Sequence, residues 1–357
     1  MITSDLVNSH WAPQAEKQGC LTPEMLDFIY RENSFKLFVP KELDGLGLTL
    51  PEALEVEERL AELDASMGWT VTLCAGAAWF VGFLDEKLSQ EIFADPKVCL
   101  AGSGFVGGKA NRVGDHYEIS GSWTYASGAL HATYFTANCE LLEEGKQVLD
   151  LQGKPLVKAF ILHKEEVEIL DGWSYMGMIA TGSHAFKAEN LMVPLDRAFE
   201  IIPEKVSRDE PLYRYPFLQF AEATLAVNIL GITQHLQNLI SATFWKRHEF
   251  RTYDPKQLDY FRKLASSCEN KLQTGRGQFY QAIAKSWDEL ETKGKITATT
   301  LKSVSRSSRK LTGICREINA RMHPFAGLEA AKTHTELNRV WRDFNTVSQH
   351  ALLTFPF

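Results

Sequence analysis

The sequence predicts an α+β, mostly helical fold: an N-terminal helical domain, a middle β-barrel or sandwich domain, and a C-terminal four-helix bundle. Three observations carry this. Helix start signals and apolar helical spacing fill residues 1–96. Short runs rich in β-branched and aromatic residues alternate with Gly, Asn and Asp over 97–204. Apolar spacing of three and four returns over 205–357. Those limits set three expected domains.

In the first zone, Thr22-Pro-Glu-Met25 opens a helix with a cap and a proline at its first position. Phe38-Val-Pro-Lys-Glu-Leu-Asp-Gly-Leu-Gly47 reads as a loop. Leu50-Pro-Glu-Ala53 begins a longer helix with Leu54, Leu60 and Leu63 on its apolar side. The apolar run from Gly68 to Leu84 is interrupted by Thr70, Thr72 and several Gly and Ala, which fits a buried helix rather than a membrane span.

The middle zone offers strands at 98–105, 116–122, 133–141, 157–163 and 185–193. Within it, Ala101-Gly-Ser-Gly-Phe-Val-Gly-Gly108 has the G-x-G-x-x-G spacing of a dinucleotide loop. That spacing holds a pyrophosphate only where a helix leaves it, because the helix N-terminus supplies the amides and the dipole. Here the chain continues through a turn at Gly114-Asp115 to alternating Tyr117, Ile119 and Gly121, which is a strand pattern. A Rossmann reading therefore fails. Beyond Lys205, helices are expected at 220–245, 258–291, 297–322 and 337–353, enough for a bundle.

The 357 residues carry a net charge of −7, which disfavours a nucleic-acid partner. Six cysteines without a CxxC pair fit free thiols in a reducing cytoplasm. The opening residues lack a basic stretch running into an apolar core, so no leader and no membrane association are expected. His131, His235, His248, His323 and His334 have no metal-ligand spacing, so no metal is expected.

Helices, a small β-domain, then a bundle is the order of the acyl-CoA dehydrogenase superfamily, and the chain resembles that family over nearly its whole length. Phe38–Gly47 resembles its first loop, Gly121-Ser-Trp-Thr-Tyr-Ala-Ser-Gly128 its first flavin strand, the segment from Gly172 to Ser183 its second, and Arg339-Val-Trp-Arg-Asp343 a motif of its last helices. The likeness is greater to the two-component flavin-dependent (group D) aromatic monooxygenases, on Trp123…Ser127-Gly128, Gly177-Met-Ile-Ala-Thr-Gly-Ser183 and Trp341-Arg-Asp343…Gln349-His350. Ile179 departs from the Arg of many relatives. By this resemblance the glycine-rich stretch is a loop lining the flavin and substrate cleft.

The resemblance implies a monooxygenase that uses reduced flavin and O2 to hydroxylate a small, aromatic substrate. It also implies a separate flavin reductase and a homotetramer. Trp123, Tyr125, Ser127, Gly128, Thr181, Ser183 and Gln349 are the expected flavin contacts; Thr181 and Ser183, at spacing two in a strand, would share a face. Arg247-His-Glu-Phe250-Arg251 resembles a segment that reaches a neighbouring subunit's FAD; its Arg251 in place of Gly favours FMN over FAD. Trp79 and Phe105 are expected in the substrate pocket. A dehydrogenase would need a carboxylate base, and none follows Asp343; Glu222 is the substitute, and gives the alternative of an acyl-CoA dehydrogenase. A non-catalytic flavin-binding or scaffold protein is a further alternative. In the monooxygenase reading His350 and Ser127 are catalytic. Oxygen activation needs a proton and shelter from water, and a phenol gains from a base; an imidazole serves either. Otherwise His350 is a helix-end cap.

Overall fold

The computed structural model describes residues 10–150 and 152–355. Residues 1–9 of the expected first domain, which hold the expected absence of a leader, and 356–357 of the third lie outside the described residues. Helices come first: α1 (Ala12–Gln18), α2 (Pro23–Arg31), α3 (Leu50–Leu63), α4 (Ala65–Ala78) and α5 (Glu86–Phe93). Their starts follow local chemistry. Thr22 accepts the Met25 amide at 3.3 Å ahead of Pro23. Thr49 and Glu52 form a capping box on α3, and Asp64 accepts the Met67 amide at 2.8 Å to start α4. α4 continues as a 3₁₀ turn, Trp79–Phe83. Among the described residues Ala65–Phe83 is long and apolar enough to cross a membrane, and 89% of it is buried inside the protein.

Among the described residues eight strands follow: β1 (Leu100–Val113), β2 (His116–Trp123), β3 (Tyr134–Glu143), β4 (Lys146–Gln147), β5 (Val157–His163), β6 (Glu168–Leu170), β7 (Ala185–Pro194) and β8 (Ala198–Phe199). They form one mixed sheet in the order β6-β7-β2-β1-β3-β5-β8, with β4 on β3 and only β1 and β3 parallel. The glycine-rich stretch is not the loop expected: β1 runs through it, and its register against β3 shifts between Gly102 and Val106. Close packing uses its glycines. A Cβ on Gly102 would lie 1.8 Å from Thr136 Oγ1, and one on Gly107 2.2 Å from the Ser122 carbonyl.

The bundle comprises α6 (Phe217–Arg251), α7 (Pro255–Lys293), α8 (Ala298–Met322) and α9 (Glu336–Val347). The last helix is shorter than its apolar spacing predicts. Arg316 of α8 donates to the Ser348 carbonyl at 3.1 Å and to the Leu353 carbonyl at 3.2 Å, which satisfies carbonyls that no helical amide meets beyond the end of α9. The chain leaves α9, passes Gln349 and His350, and closes a 3₁₀ turn at Ala351–Leu353. One apolar core joins α3 and α4 to the bundle through residues such as Leu54, Val71, Ile229 and Ile318. A second lies on the sheet around Trp123, Phe135, Phe160 and Phe186. Leu100 at the head of β1 belongs to the first core, which seats the sheet against α4.

Candidate active site

Two cavities meet at Leu73 and His350, where α4, the sheet and the end of α9 converge. The outer one, about 580 Å³, lies between Tyr125, Ser127 and Trp173–Met178 on one side and Asn345–Ala351 on the other. The inner one, about 230 Å³, is walled by α4, β1, β3 and the start of α6. Among the described lining residues of either, there is no Asp or Glu.

Ser127 is buried at the outer wall and sits in a one-way hydrogen-bond chain. Thr181 Oγ1 donates to the Met178 carbonyl at 2.7 Å. Its proton thus used, it accepts from Ser183 Oγ at 2.7 Å, and Ser183 in turn accepts from Ser127 Oγ at 2.7 Å. Trp69 Nε1 donates to Ser127 Oγ at 3.2 Å. The hydroxyl of Ser127 therefore presents a lone pair, not a proton, to any further neighbour. Its backbone amide is also engaged, with the Tyr125 carbonyl at 3.0 Å. Thr181 and Ser183 are not on a strand as expected. Thr181 ends a 3₁₀ turn between Met178 and Gly182, both left-handed, and the two hydroxyls meet each other. Ser183 reaches the cavity and Thr181 does not.

Asp343 fixes this turn from behind. It is buried, accepts the Met178 amide at 2.5 Å, and burial pushes its carboxyl up to about 7. Arg342, beside it, donates to the Met176 carbonyl at 2.6 Å and pairs with Glu16 of α1 at 2.5 Å. Gly128 adopts φ +79° and donates to the Thr181 carbonyl at 2.8 Å, tying the two flavin-like segments together.

His350 is half-buried at the junction and lines both cavities. Its Nδ1 accepts the Leu352 amide at 3.3 Å, capping the last 3₁₀ turn. This contact assigns the neutral tautomer with the proton on Nε2. Burial lowers the ring's pKa from its ordinary value, which favours that neutral form. The expected cap and a role in the site thus coexist on two ring nitrogens. Of the two chemical roles expected, donor and base, the assigned tautomer supports the donor. Gln349 is exposed and also lines the outer cavity.

Several expected residues lie elsewhere. Trp123 is fully buried in the sheet's own core, stacked on Phe186 at 5.0 Å with Nε1 donating to the Asn138 carbonyl. Tyr125 does line the outer cavity, beside Trp173 and Tyr175. Trp79 is 1% exposed and packs inside a ring cluster rather than on a cavity wall. Phe105 is 59% exposed and lines neither cavity, because the irregular register turns it outward while Gly102, Ser103 and Gly104 face the inner space. Arg247 and Phe250 sit at the far end of α6, roughly 40 Å from the Ala221 end at a 1.5 Å rise per residue. Within one chain they do not reach the site: Arg247 donates to the Phe325 carbonyl, and Phe250 points into solvent. Trp69, Trp173, Tyr175 and the aromatic wall of Phe80, Phe217 and Phe220 complete the site. Trp173 and Tyr175 fall within the Gly172–Ser183 segment already singled out by resemblance, whereas Trp69, Phe80, Phe217 and Phe220 carry only the signal of core aromatics.

Glu222 also faces away. Its neighbour Ala221 lines the inner cavity, while its own carboxylate accepts from Arg309 at 2.5 Å in the buried interior. Arg309 in turn donates to the Leu352 carbonyl at 3.2 Å. Glu222→Gln is therefore expected to leave turnover near the parent's and to lower the thermal midpoint, because the half-buried Arg309 loses its counter-charge. Steady-state rates beside a melting curve check this; a rate lost with the midpoint unchanged would restore Glu222 as a base.

Residues 223–355 match the family model described as acyl-CoA dehydrogenase, C-terminal domain. The indole-3-acetate monooxygenase of Acinetobacter baumannii is 23% identical over 96% of this chain and 86% of its own length. The flavin-dependent monooxygenase, oxygenase subunit HsaA, of Mycobacterium tuberculosis is 23% identical over 89% of this chain and 81% of its own. The crystal structure of HsaA from M. tuberculosis superposes with a TM-score of 0.88 at 20% identity, covering 99% of this chain and 94% of that one. XiaF from Streptomyces, solved with FADH2 and glycerol, gives 0.85 at 21% identity, over 97% and 88%. TdsC from Paenibacillus, solved with FMN and indole, gives 0.77 at 17% identity, over 99% and 93%. The fold is that of these proteins.

Proposed function

We propose that this chain, which belongs to the acyl-CoA dehydrogenase superfamily, is the oxygenase component of a two-component flavin-dependent monooxygenase acting on a small aromatic substrate. One observation carries the reading: His350 stands where the two cavities meet, and the described walls of both lack the carboxylate that proton abstraction beside a thioester requires. The outer cavity fits a flavin ring, with flat aromatic walls at Trp173 and Tyr175, stacked at 4.1 Å, and a polar edge at Ser127 and Ser183. When bound, a reduced flavin reacts with O2 and supplies the oxygen atom that is inserted into the substrate.

The chain's own residues then do the following. Ser127 Oγ, polarised by the Thr181–Ser183 chain, would hold a bound flavin by accepting a hydrogen bond from it. His350 holds a proton on Nε2 and donates it as a hydrogen bond to oxygen at the junction. Tyr125, Trp173 and Tyr175 give the outer cavity an aromatic wall against which the ring would lie. Relatives named as oxygenase subunits support a separate reductase as partner. FMN is the flavin we favour, on the strength of Arg251 in place of glycine; solved relatives hold either flavin. A homotetramer is supported by Phe250, Tyr260 and Leu328, exposed by 79%, 61% and 82% around the far end of α6.

Supplying reduced FMN and labelled O2 with an aromatic substrate is expected to give a product carrying one labelled oxygen. Anaerobic bleaching of bound oxidised flavin by an acyl-CoA, without such a product, would establish a dehydrogenase instead.

A further inference from the structure

The inner cavity is uncharged. Thr72, Phe80, Thr136, Asn138, Phe217 and Phe220 give its character. Among the described lining residues there is no Lys, Arg, Asp or Glu, and the single imidazole, His350, is held neutral by burial and by its Leu352 contact. Behind it Arg309 donates to Glu222 at 2.5 Å and to the Leu352 carbonyl at 3.2 Å, and neither side chain lines the cavity. The polar atoms that remain are hydroxyls and one amide. Thr72 accepts from Asn228 at 3.1 Å, and Asn138 donates to the Ser103 carbonyl at 3.2 Å, leaving its own side-chain oxygen to accept.

We infer that the substrate is a neutral, flat molecule of one or two aromatic rings, bearing at most a hydroxyl or ring N–H and no carboxylate or ammonium group. This rests on the oxygenase reading above, and it names what that site selects. The volume of about 230 Å³ lies below the range of drug-sized pockets, so it admits rings without a long side chain. Phe80, Phe217 and Phe220 offer ring surface for stacking. A substrate with an acetate side chain, of the kind in the name of the indole-3-acetate monooxygenase relative, would bring a carboxylate here with no cation to meet it. Burying an unpaired charge is strongly unfavourable, so such a ligand binds weakly or leaves its side chain outside.

The experiment uses the full chain with reduced FMN and matched probes: phenol and 4-hydroxyphenylacetate, indole and indole-3-acetate, and tryptamine as the cationic member. Dissociation constants come from equilibrium dialysis or titration calorimetry without turnover, and oxygenated product is measured separately. Neutral members are expected to bind at least about 10- to 100-fold more tightly than the charged ones, the factor carried by one missing charge-assisted hydrogen bond. Thr224→Lys, which places a cation on the inner wall, should close or reverse the gap for carboxylates. Should that variant fail to fold, the parent series alone decides. Carboxylates binding as tightly as their neutral partners would overturn the inference, and their oxygenation would leave the oxygenase reading standing. Tight neutral binding without oxygenated product from any probe would do the reverse. Binding of no ring at all would overturn the inference outright.

Discussion

His350→Ala is expected to cut oxygenated product by about 10²–10⁴-fold, the range for loss of a positioned proton-handling group. The ring lines both cavities, so its removal takes the proton on Nε2 from the one place where they join. Flavin affinity should change little, because Ser127, Trp173 and Tyr175 remain. Hydrogen peroxide should rise in place of product. The pH profile separates this role from that of a simple base. Burial lowers the folded pKa below the ordinary 6.5, so the neutral ring persists through neutral pH. The part of the rate that depends on His350 should persist from pH 8 to below 6.5 and fade only as the folded ring takes its proton, which would set N–H against the Leu352 N–H. Asp343, pushed up to about 7, titrates above it, and the profile of His350→Ala beside the parent's separates the two. The linkage has the same sign. At this ring, as pH drops through 6.5 the unfolded chain binds a proton that the folded chain refuses, so its contribution to stability falls from there down to the folded value. Asp343, raised to about 7, contributes in the opposite sense, so the His350 part is read from the difference between parent and His350→Ala. His350→Gln, which keeps an acceptor for Leu352 and a donor to the cavity, should recover part of the coupling. Normal coupling in the Ala variant would reduce His350 to a cap.

Trp79→Ala is expected to destabilise the fold by about 3–5 kcal/mol, a large share of a typical total of 5–15 kcal/mol. Its ring lies 5.0 Å from Phe220, 5.7 Å from Phe217 and 5.1 Å from Phe83, and its Nε1 donates to the Leu212 carbonyl at 3.3 Å. Deletion leaves a cavity and an unsatisfied carbonyl together. Denaturant midpoints measure the loss. An Ala variant of parental stability with a raised KM would return Trp79 to the substrate wall.

Local chemistry made most of the elements legible. Thr22 caps its helix in the structure as its position implies, and the turn at Gly114-Asp115 sends β1 back as β2 and removes the pyrophosphate reading of the glycines. Ser127, Ser183, Tyr125, Gln349 and His350, read from motif context, do line one cavity. Misplaced residues share a cause. Trp79, Trp123 and Phe105 are aromatic residues whose identity is the same whether they wall a site, fill a core or face solvent. Periodicity assigns a face to a residue but not the object that face meets.

What the sequence determined by itself is the order helix, sheet, bundle, and the absence of any acid after Asp343. These are properties of short spans and of composition. Tertiary structure alone decided that Glu222 turns to Arg309 rather than to the cavity, one helical position from Ala221. It also decided that Arg316, 32 positions before Ser348, caps the end of α9 there, with His350 on the segment that follows. Both outcomes depend on a cation arriving from another helix. No spacing within either segment encodes that arrival, because it is set by how α8 packs against α6 and the chain's end.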